Sequence, residues 1–216
     1  MFNKEYFKDY NEQAFKWKFW ANFAKKYSIP EDSILALGCA YGFLFKYLKE
    51  YNNLTGIDIS EHAMEEAKKL HPHAKFEVMD ANQLTFKDNS FQLIFCLDTL
   101  EHLNNPKECI KECYRTLKKN GHLIITTPNP ESYSLKKKGL GWFAYKDETH
   151  VSIKHKKHWV KMLKEQGFTI EKAKSMDTFD APYFKKVFTG INLLSYKIKH
   201  PFVPKGDNTF ILAKKR

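Results

Sequence analysis

The sequence predicts an α/β chain built on a doubly wound, mostly parallel sheet. Three observations carry this reading. The apolar run at residues 34–37 ends abruptly in a glycine-bracketed turn, Gly38-Cys39-Ala40-Tyr41-Gly42. A second run, at 54–59, carries an acid, Asp58, where a βαβ unit places a ribose-binding carboxylate. A third run, 76–80, also ends in an acid, Asp80, and a fourth, 91–96, leads into Leu97-Asp98. Successive strands with polar groups at their C-terminal ends are how an open parallel sheet presents a ligand site.

In chain order, residues from about 9 to 27 place aromatics at Tyr10, Phe15, Trp17, Phe19, Trp20, Phe23 and Tyr27, broadly at helical spacing. Ser28-Ile29-Pro30 breaks the pattern, so one or two helices precede the first strand. At Gly38 and Gly42 the missing side chain lets the backbone take positive φ and approach a ligand, and the apolar stretch that follows is expected to form a helix whose first N–H groups are donors. After the second strand, Ser60 is placed to N-cap a helix with Glu61 in its first turn and an apolar stripe of Ala63, Met64, Ala67 and Leu70. The fourth strand runs on into Leu97-Asp98-Thr99-Leu100-Glu101-His102. Asn105-Pro106 then supplies a cap and a first-turn proline for a helix burying Cys109, Ile110, Cys113 and Leu117 and stopping at Gly121.

Residues 122–127 read as the fifth strand, stopped by Pro128-Asn129-Pro130. A lysine-rich insertion at 135–146 leads to Thr149-His150-Val151, and a helix over 155–166, with Trp159, Val160, Met162 and Leu163 apolar, is closed by Gly167. The sixth and seventh strands are 168–173 and 209–213. Between them the stretch 177–207 is aromatic and basic, with Phe179, Tyr183, Phe184, Lys185, Lys186, Phe188, Tyr196 and Lys197.

A chain of 216 residues holds one α/β domain with elaborations, and no Pro-, Gly- or Ser-rich linker divides it. The formal net charge of +11 comes mainly from lysine, much of it after residue 115. It favours anionic partners: RNA, phosphate-bearing metabolites or an acidic membrane surface. No apolar run reaches the ~18 residues that span a bilayer, and Met1-Phe2-Asn3-Lys4-Glu5 lacks the basic-then-apolar form of a secretory signal, so a cytoplasmic setting is expected. The four cysteines, at 39, 96, 109 and 113, lack C-x-x-C spacing and read as small buried residues of a reduced protein. His71, His73, His155 and His158 have no acid at ligand spacing and read as solvated.

The succession of glycine turn, acid after the second strand, acid after the third and polar segment after the fourth resembles the class I S-adenosylmethionine-dependent methyltransferases, over roughly residues 34 to 130. The resemblance implies a Rossmann-like, seven-stranded sheet with an antiparallel last strand. It divides the chain into a helical lid at 1–30, a cofactor-binding core at 31–176, an insertion shaping the acceptor pocket at 177–207 and a last core strand at 208–216. It implies that Gly38, Ala40 and Gly42 lie under the methionine and ribose of S-adenosylmethionine. Asp58 would then accept the ribose hydroxyls, Ile59 would face the adenine, Asp80 with Ala81 would stand near the adenine amino group, and Leu97 would complete the cofactor wall. The chain departs from the family at Ala36, where an acid is usual, and at Ala40, usually glycine, where a positive φ costs about 1 kcal/mol more than glycine does. The dinucleotide fingerprint G-x-G-x-x-G fails, because position 40 is Ala and position 43 is Phe.

Methyl transfer from a sulfonium needs a nucleophile aligned behind the methyl and a base when that nucleophile is a hydroxyl. Asp98, Glu101 and His102, at i, i+3 and i+4, are expected on one face of a helical turn, with His102 the general base. With His150 as a fourth ligand, the same residues are candidates for a divalent cation acting as a Lewis acid. This set resembles the two-acid, two-histidine site of small-RNA 3′-terminal 2′-O-methyltransferases and the acid-acid-His segment of ubiquinone-pathway O-methyltransferases. No Asn/Asp-Pro-Pro-aromatic tetrapeptide of the amino-methylating enzymes follows the fourth strand, so oxygen is the expected acceptor atom. The expected activity is O-methylation of a small hydroxylated or lipid-like molecule. The alternatives are an RNA methyltransferase using the basic C-terminal half and a catalytically silent binding protein of the same fold. A membrane-surface contact through 177–207 is a further expectation.

Overall fold

The computed structural model describes residues 2–8, 12, 14–176 and 205–216. Tyr10 and the aromatic, basic stretch from Phe179 to Lys197 lie outside them. The elements in order are α1 (Ala14–Tyr27), β1 (Ser33–Leu37), β2 (Asn53–Asp58), α2 (Glu61–Leu70), β3 (Lys75–Val78), β4 (Phe91–Leu97), α3 (Pro106–Thr116), β5 (Leu117–Pro128), α4 (Tyr133–Lys138), α5 (Phe143–Lys146), α6 (Lys156–Glu165), β6 (Phe168–Met176) and β7 (Asn208–Lys215).

The seven strands form one sheet in the order β3-β2-β1-β4-β5-β7-β6. The first five run parallel, and β7 is antiparallel to both β5 and β6. Alternation along β1 sorts the core into two layers. Ile34 and Ala36 join a cluster with Trp17, Trp20, Ala63 and Met64, so α1 and α2 cover one face. Leu35 and Leu37 join Cys109, Ile110, Trp159 and Leu163, so α3 and α6 cover the other. The strand order reverses between β1 and β4, the place where an open α/β sheet leaves a crevice.

Buried Trp17, Trp20, Ala21 and Ala24 give α1 an i, i+3, i+4, i+7 stripe. Trp20 is 1% exposed and stacks on Phe210 of β7 at 6.0 Å between ring centroids, tying the N-terminal helix to the last strand. In α2 the Ser60 side chain accepts from Ala63 N, as its position predicts.

Five expectations are corrected. The stretch after the glycine turn forms a 3₁₀ helix, Phe43–Tyr47, rather than an α-helix. Bonds from Phe45 N to Gly42 O, Leu48 N to Phe45 O and Tyr51 N to Leu48 O close successive three-residue turns that bury Leu44, Phe45, Leu48 and Tyr51. Gly121 does not stop a helix: α3 ends at Thr116, and Gly121 lies inside β5 where the pairing with β4 shifts register. A Cβ there would sit 2.9 Å from Lys118 O. Asn105 occupies the cap position of α3 without a side-chain bond, and its backbone carbonyl accepts from Glu108 N instead. Leu70, at the end of the α2 stripe, is 51% exposed. His71 is buried rather than solvated, and burial depresses its pKa to about 4.

The Trp20 contact gives a stability test. Trp20→Ala leaves a large void between α1 and β7 and is expected to cost about 3–5 kcal/mol. For a chain of this size that lowers the midpoint of thermal unfolding, followed by circular dichroism, by roughly 10 °C.

Candidate active site

The crevice at the strand-order reversal opens into a cleft of ≈950 Å³. Its floor includes Ala36, Gly38 and Ala40 at the end of β1, and its walls include Asp58, Asp80 and Asp98 at the ends of the flanking strands. Gly38 adopts φ +59, and a Cβ on it would lie 2.6 Å from Thr99 Oγ1, which donates to Leu37 O at 3.1 Å. The turn therefore packs directly on the segment after β4 and needs glycine for both reasons. Ala40 does take a positive φ, +48, despite its methyl group. Gly42, at φ +69, shapes the turn without lining the cleft: a Cβ there would meet the Phe76 ring at 2.8 Å.

Asp58 secures this geometry. One carboxylate oxygen accepts from Ala40 N at 2.9 Å, across the turn, and the other from Ser60 N at 3.0 Å, at the start of α2. Burial raises its pKa, opposed by bonds from the Ser60, Ala40 and Ile59 backbones. Each oxygen retains a lone pair for a further donor. Ile59, 58% exposed, and Ala81 line the cleft beside Asp80, whose carboxylate accepts from Asn82 N at 2.8 Å. Leu97 completes this wall.

The segment after β4 does not follow the expected single helical face. Asp98 has φ +51 and precedes a 3₁₀ turn confined to Leu100–His102. Its Oδ1 accepts from Thr126 Oγ1 at 2.7 Å and its Oδ2 from Lys16 Nζ at 3.2 Å. Glu101, 1% exposed, turns inward, with Oε2 lacking a hydrogen-bond partner. Burial first, and the nearby Asp98 charge second, push its pKa well above the carboxylate range. Glu101, His102 and His150 bring ligand-capable atoms within 4.8 Å of one another; Asp98 is not gathered with them.

Both imidazoles are oriented by the segment before α6. His102 Nδ1 lies 2.8 Å from Thr149 Oγ1, which in turn bonds Asp147. A carboxylate only accepts, so the Thr149 hydroxyl donates to Asp147 and accepts from His102 Nδ1–H. That leaves the lone pair of His102 on Nε2. His150 Nδ1 donates to Ala144 O at 2.8 Å, with the same result. The two rings stand 4.6 Å apart between centroids. Burial, then the neighbouring His150, lowers the His102 pKa, so its neutral form prevails near pH 7.

Sequence reasoning did not assign roles to Tyr6, Lys16, Asp147 or Thr149. Phe2, Tyr6, Phe7, Lys16 and Trp17 all line the cleft. Tyr6 donates to Asp147 at 3.3 Å, and burial, reinforced by Asp147, moves its pKa to about 12. The only sequence signal for the Asp147 and Thr149 contacts was their place next to His150.

The tight fit at Gly38 has a double-mutant signature. Gly38→Ala is expected to lower the unfolding midpoint through left-handed strain of about 1–2 kcal/mol plus the clash with Thr99. Thr99→Ala in that background should recover the clash but not the strain, read as a positive coupling in thermal melts.

Residues 35–125 match the family described as Methyltransferase domain. An uncharacterized protein of Methanocaldococcus jannaschii is 34% identical over 154 residues, covering 69% of this chain and 71% of that protein. The ubiquinone biosynthesis O-methyltransferase of Pseudomonas aeruginosa is 30% identical over 109 residues, covering 46% of this chain and 47% of the enzyme. The chain thus spans about half the length of that enzyme. The crystal structure of a SAM-dependent methyltransferase from Archaeoglobus fulgidus superposes with a TM-score of 0.70 at 20% identity, covering 98% of each chain. The seven-stranded order, the cleft above the glycine turn and these likenesses agree: the chain belongs to the class I S-adenosylmethionine-dependent methyltransferases.

Proposed function

We propose that this enzyme methylates oxygen on a small hydroxylated or lipid-like acceptor, with His102 as the general base. The observation that carries the reading is the Asp147–Thr149–His102 chain, which fixes the proton on Nδ1 and leaves Nε2 as a lone pair in a cleft wall. An acceptor hydroxyl placed behind the sulfonium methyl would pass its proton to Nε2 as the O–methyl bond forms and the S–methyl bond breaks. Gly38, Ala40, Asp58, Ile59, Asp80, Ala81 and Leu97 would hold the cofactor, and Gly42 would support the turn. Phe2, Tyr6 and Phe7 would serve as a lid that excludes water. A cytoplasmic setting, as expected from the sequence, is part of this proposal; among the described residues, no helix is long and apolar enough to cross a membrane.

The lining disfavours a polyanionic acceptor in the cleft. It carries Asp58, Glu61, Asp80, Asp98 and Asp147 against Lys16, within a chain whose formal net charge is +11. The open, acid-flanked crest over Gly38 supports cofactor binding rather than a silent scaffold.

The Glu101, His102 and His150 cluster supports a second reading, in which these three residues hold a divalent cation. The donor set fits: two imidazoles with Nε2 lone pairs and a buried carboxylate with an orphaned oxygen suit a borderline or hard cation. Such an ion would supply Lewis acidity toward the acceptor hydroxyl.

Three measurements test these readings, and metal removal separates them. His102→Gln is expected to slow S-adenosylhomocysteine formation by roughly 10²–10⁴-fold across a panel of phenols, catechols and sugars, while calorimetry shows cofactor binding retained. Wild-type rates should fall on acidification only below the ordinary imidazole pKa of 6.5, because the His102 value is depressed and the neutral ring is active. EDTA dialysis leaves the rate unchanged if His102 acts as a base. If the cluster holds a metal, EDTA removes activity and Mg²⁺, Mn²⁺ or Zn²⁺ restores it.

A further inference from the structure

We infer that Arg115, which does not itself line the cleft, is a positioning residue for one of its walls: paired with Glu112, it fixes the loop that carries Asp80, Ala81 and Asn82, and so sets how sharply the base of the cofactor is discriminated. The inference rests on reading that wall as the adenine side of the cofactor site.

The loop takes its shape from a neighbour. Residues 79–90, between β3 and β4, form no helix or strand, yet Met79, Asp80, Ala81 and Asn82 line the cleft. Local bonds shape the first turn: Asn82 N donates to Asp80 Oδ1 at 2.8 Å and Gln83 N to Asp80 O at 3.0 Å. Immediately past that turn the backbone is taken over by α3. Leu84 N donates to Glu112 Oε2 at 3.0 Å and Leu84 O accepts from Arg115 Nη2 at 2.8 Å, so both backbone groups of this residue are gripped. Arg115 Nη1 donates to Phe86 O at 2.7 Å and to Asp88 Oδ1 at 2.8 Å. Leu84 and Ala81 are buried in the same core layer as Ile110 and Cys113 of α3, so a shift of the loop on the helix is passed to the cleft wall.

The pair is set before it meets the loop. Arg115 Nε and Nη2 donate to Glu112 Oε1 and Oε2 at 2.9 and 2.7 Å, a two-point bond that fixes the guanidinium plane. The same bond holds the Glu112 carboxyl below its ordinary range. A lysine, with one nitrogen, cannot serve Glu112, Leu84 O and Phe86 O in this spread geometry. Composition points the same way. Positive charge in this chain is lysine almost throughout: of 36 basic residues, only Arg115 and the last residue, Arg216, are arginine. The arginine inside the chain stands where a planar fork is needed for several acceptors at once.

The test compares S-adenosylhomocysteine with S-inosylhomocysteine, in which a carbonyl oxygen replaces the amino group of the base. Isothermal calorimetry is expected to show wild-type protein preferring the adenine form by about tenfold or more, and Arg115→Lys cutting that preference to about threefold or less. Glu112→Gln, which keeps an oxygen for Leu84 N but gives Arg115 a neutral partner, should fall between them and carries the test if thermal melts show that Arg115→Lys does not fold. Lys111→Gln, on the same helix and paired only with Glu108 there, should leave the preference unchanged. Hydrogen exchange should quicken in a peptide spanning residues 81–86 and not in β4 or β5. Faster exchange with an unchanged base preference, or equal weakening of both nucleosides, overturns the positioning role while leaving the cofactor site standing. If wild-type protein binds both nucleosides equally, or neither, the reading of the Asp80 wall falls and the role of Arg115 with it.

Discussion

One carboxylate organises the glycine-turn end of the cleft. Asp58 closes β2 and reaches back to Ala40 N in the glycine turn and forward to Ser60 N at the head of α2. Three chain segments from two crossovers are thereby held around a single charge. Buried charge is costly unless backbone N–H groups satisfy it, and here they do. The same bond to Ala40 N helps offset the strain of placing a methyl-bearing residue at φ +48.

Much of this was legible in the sequence, for physical reasons. Parallel strands covered on both faces read as continuous apolar runs, which is why β1, β2 and β4 stood out. The Ser60 cap and the left-handed glycines are local features, decided within a few residues. What stayed hidden depends on distant partners. The turn of Asp98 out of any helical face is set by Thr126, on the neighbouring strand. The tautomer of His102 is set by Thr149, and the shielding of His71 by tertiary packing that no spacing encodes. Gly121 looked like a helix stop because a bulge glycine and a C-cap glycine are the same letter.

The wall of the cleft after β4 is built by stapling two segments. Ser152 N donates to Glu101 O at 2.8 Å, His102 bonds Thr149 and His150 bonds Ala144 O. These contacts place two imidazoles and one buried acid face to face without a regular helix. Positions held from both sides in this way lose little freedom when a substrate arrives, which is the sense in which a site is pre-organised.

The sheet order carries a consequence for how the chain acquires its shape. Strand β7 lies between β5 and β6 although it follows both in the chain. Until that segment arrives, β5 has an open edge and β6 has no neighbour to pair with. During synthesis, the parallel half of the sheet can assemble first and must then wait, its unpaired backbone exposed to other nascent chains. Chaperone dependence, rather than catalysis, is where this late insertion would leave its mark.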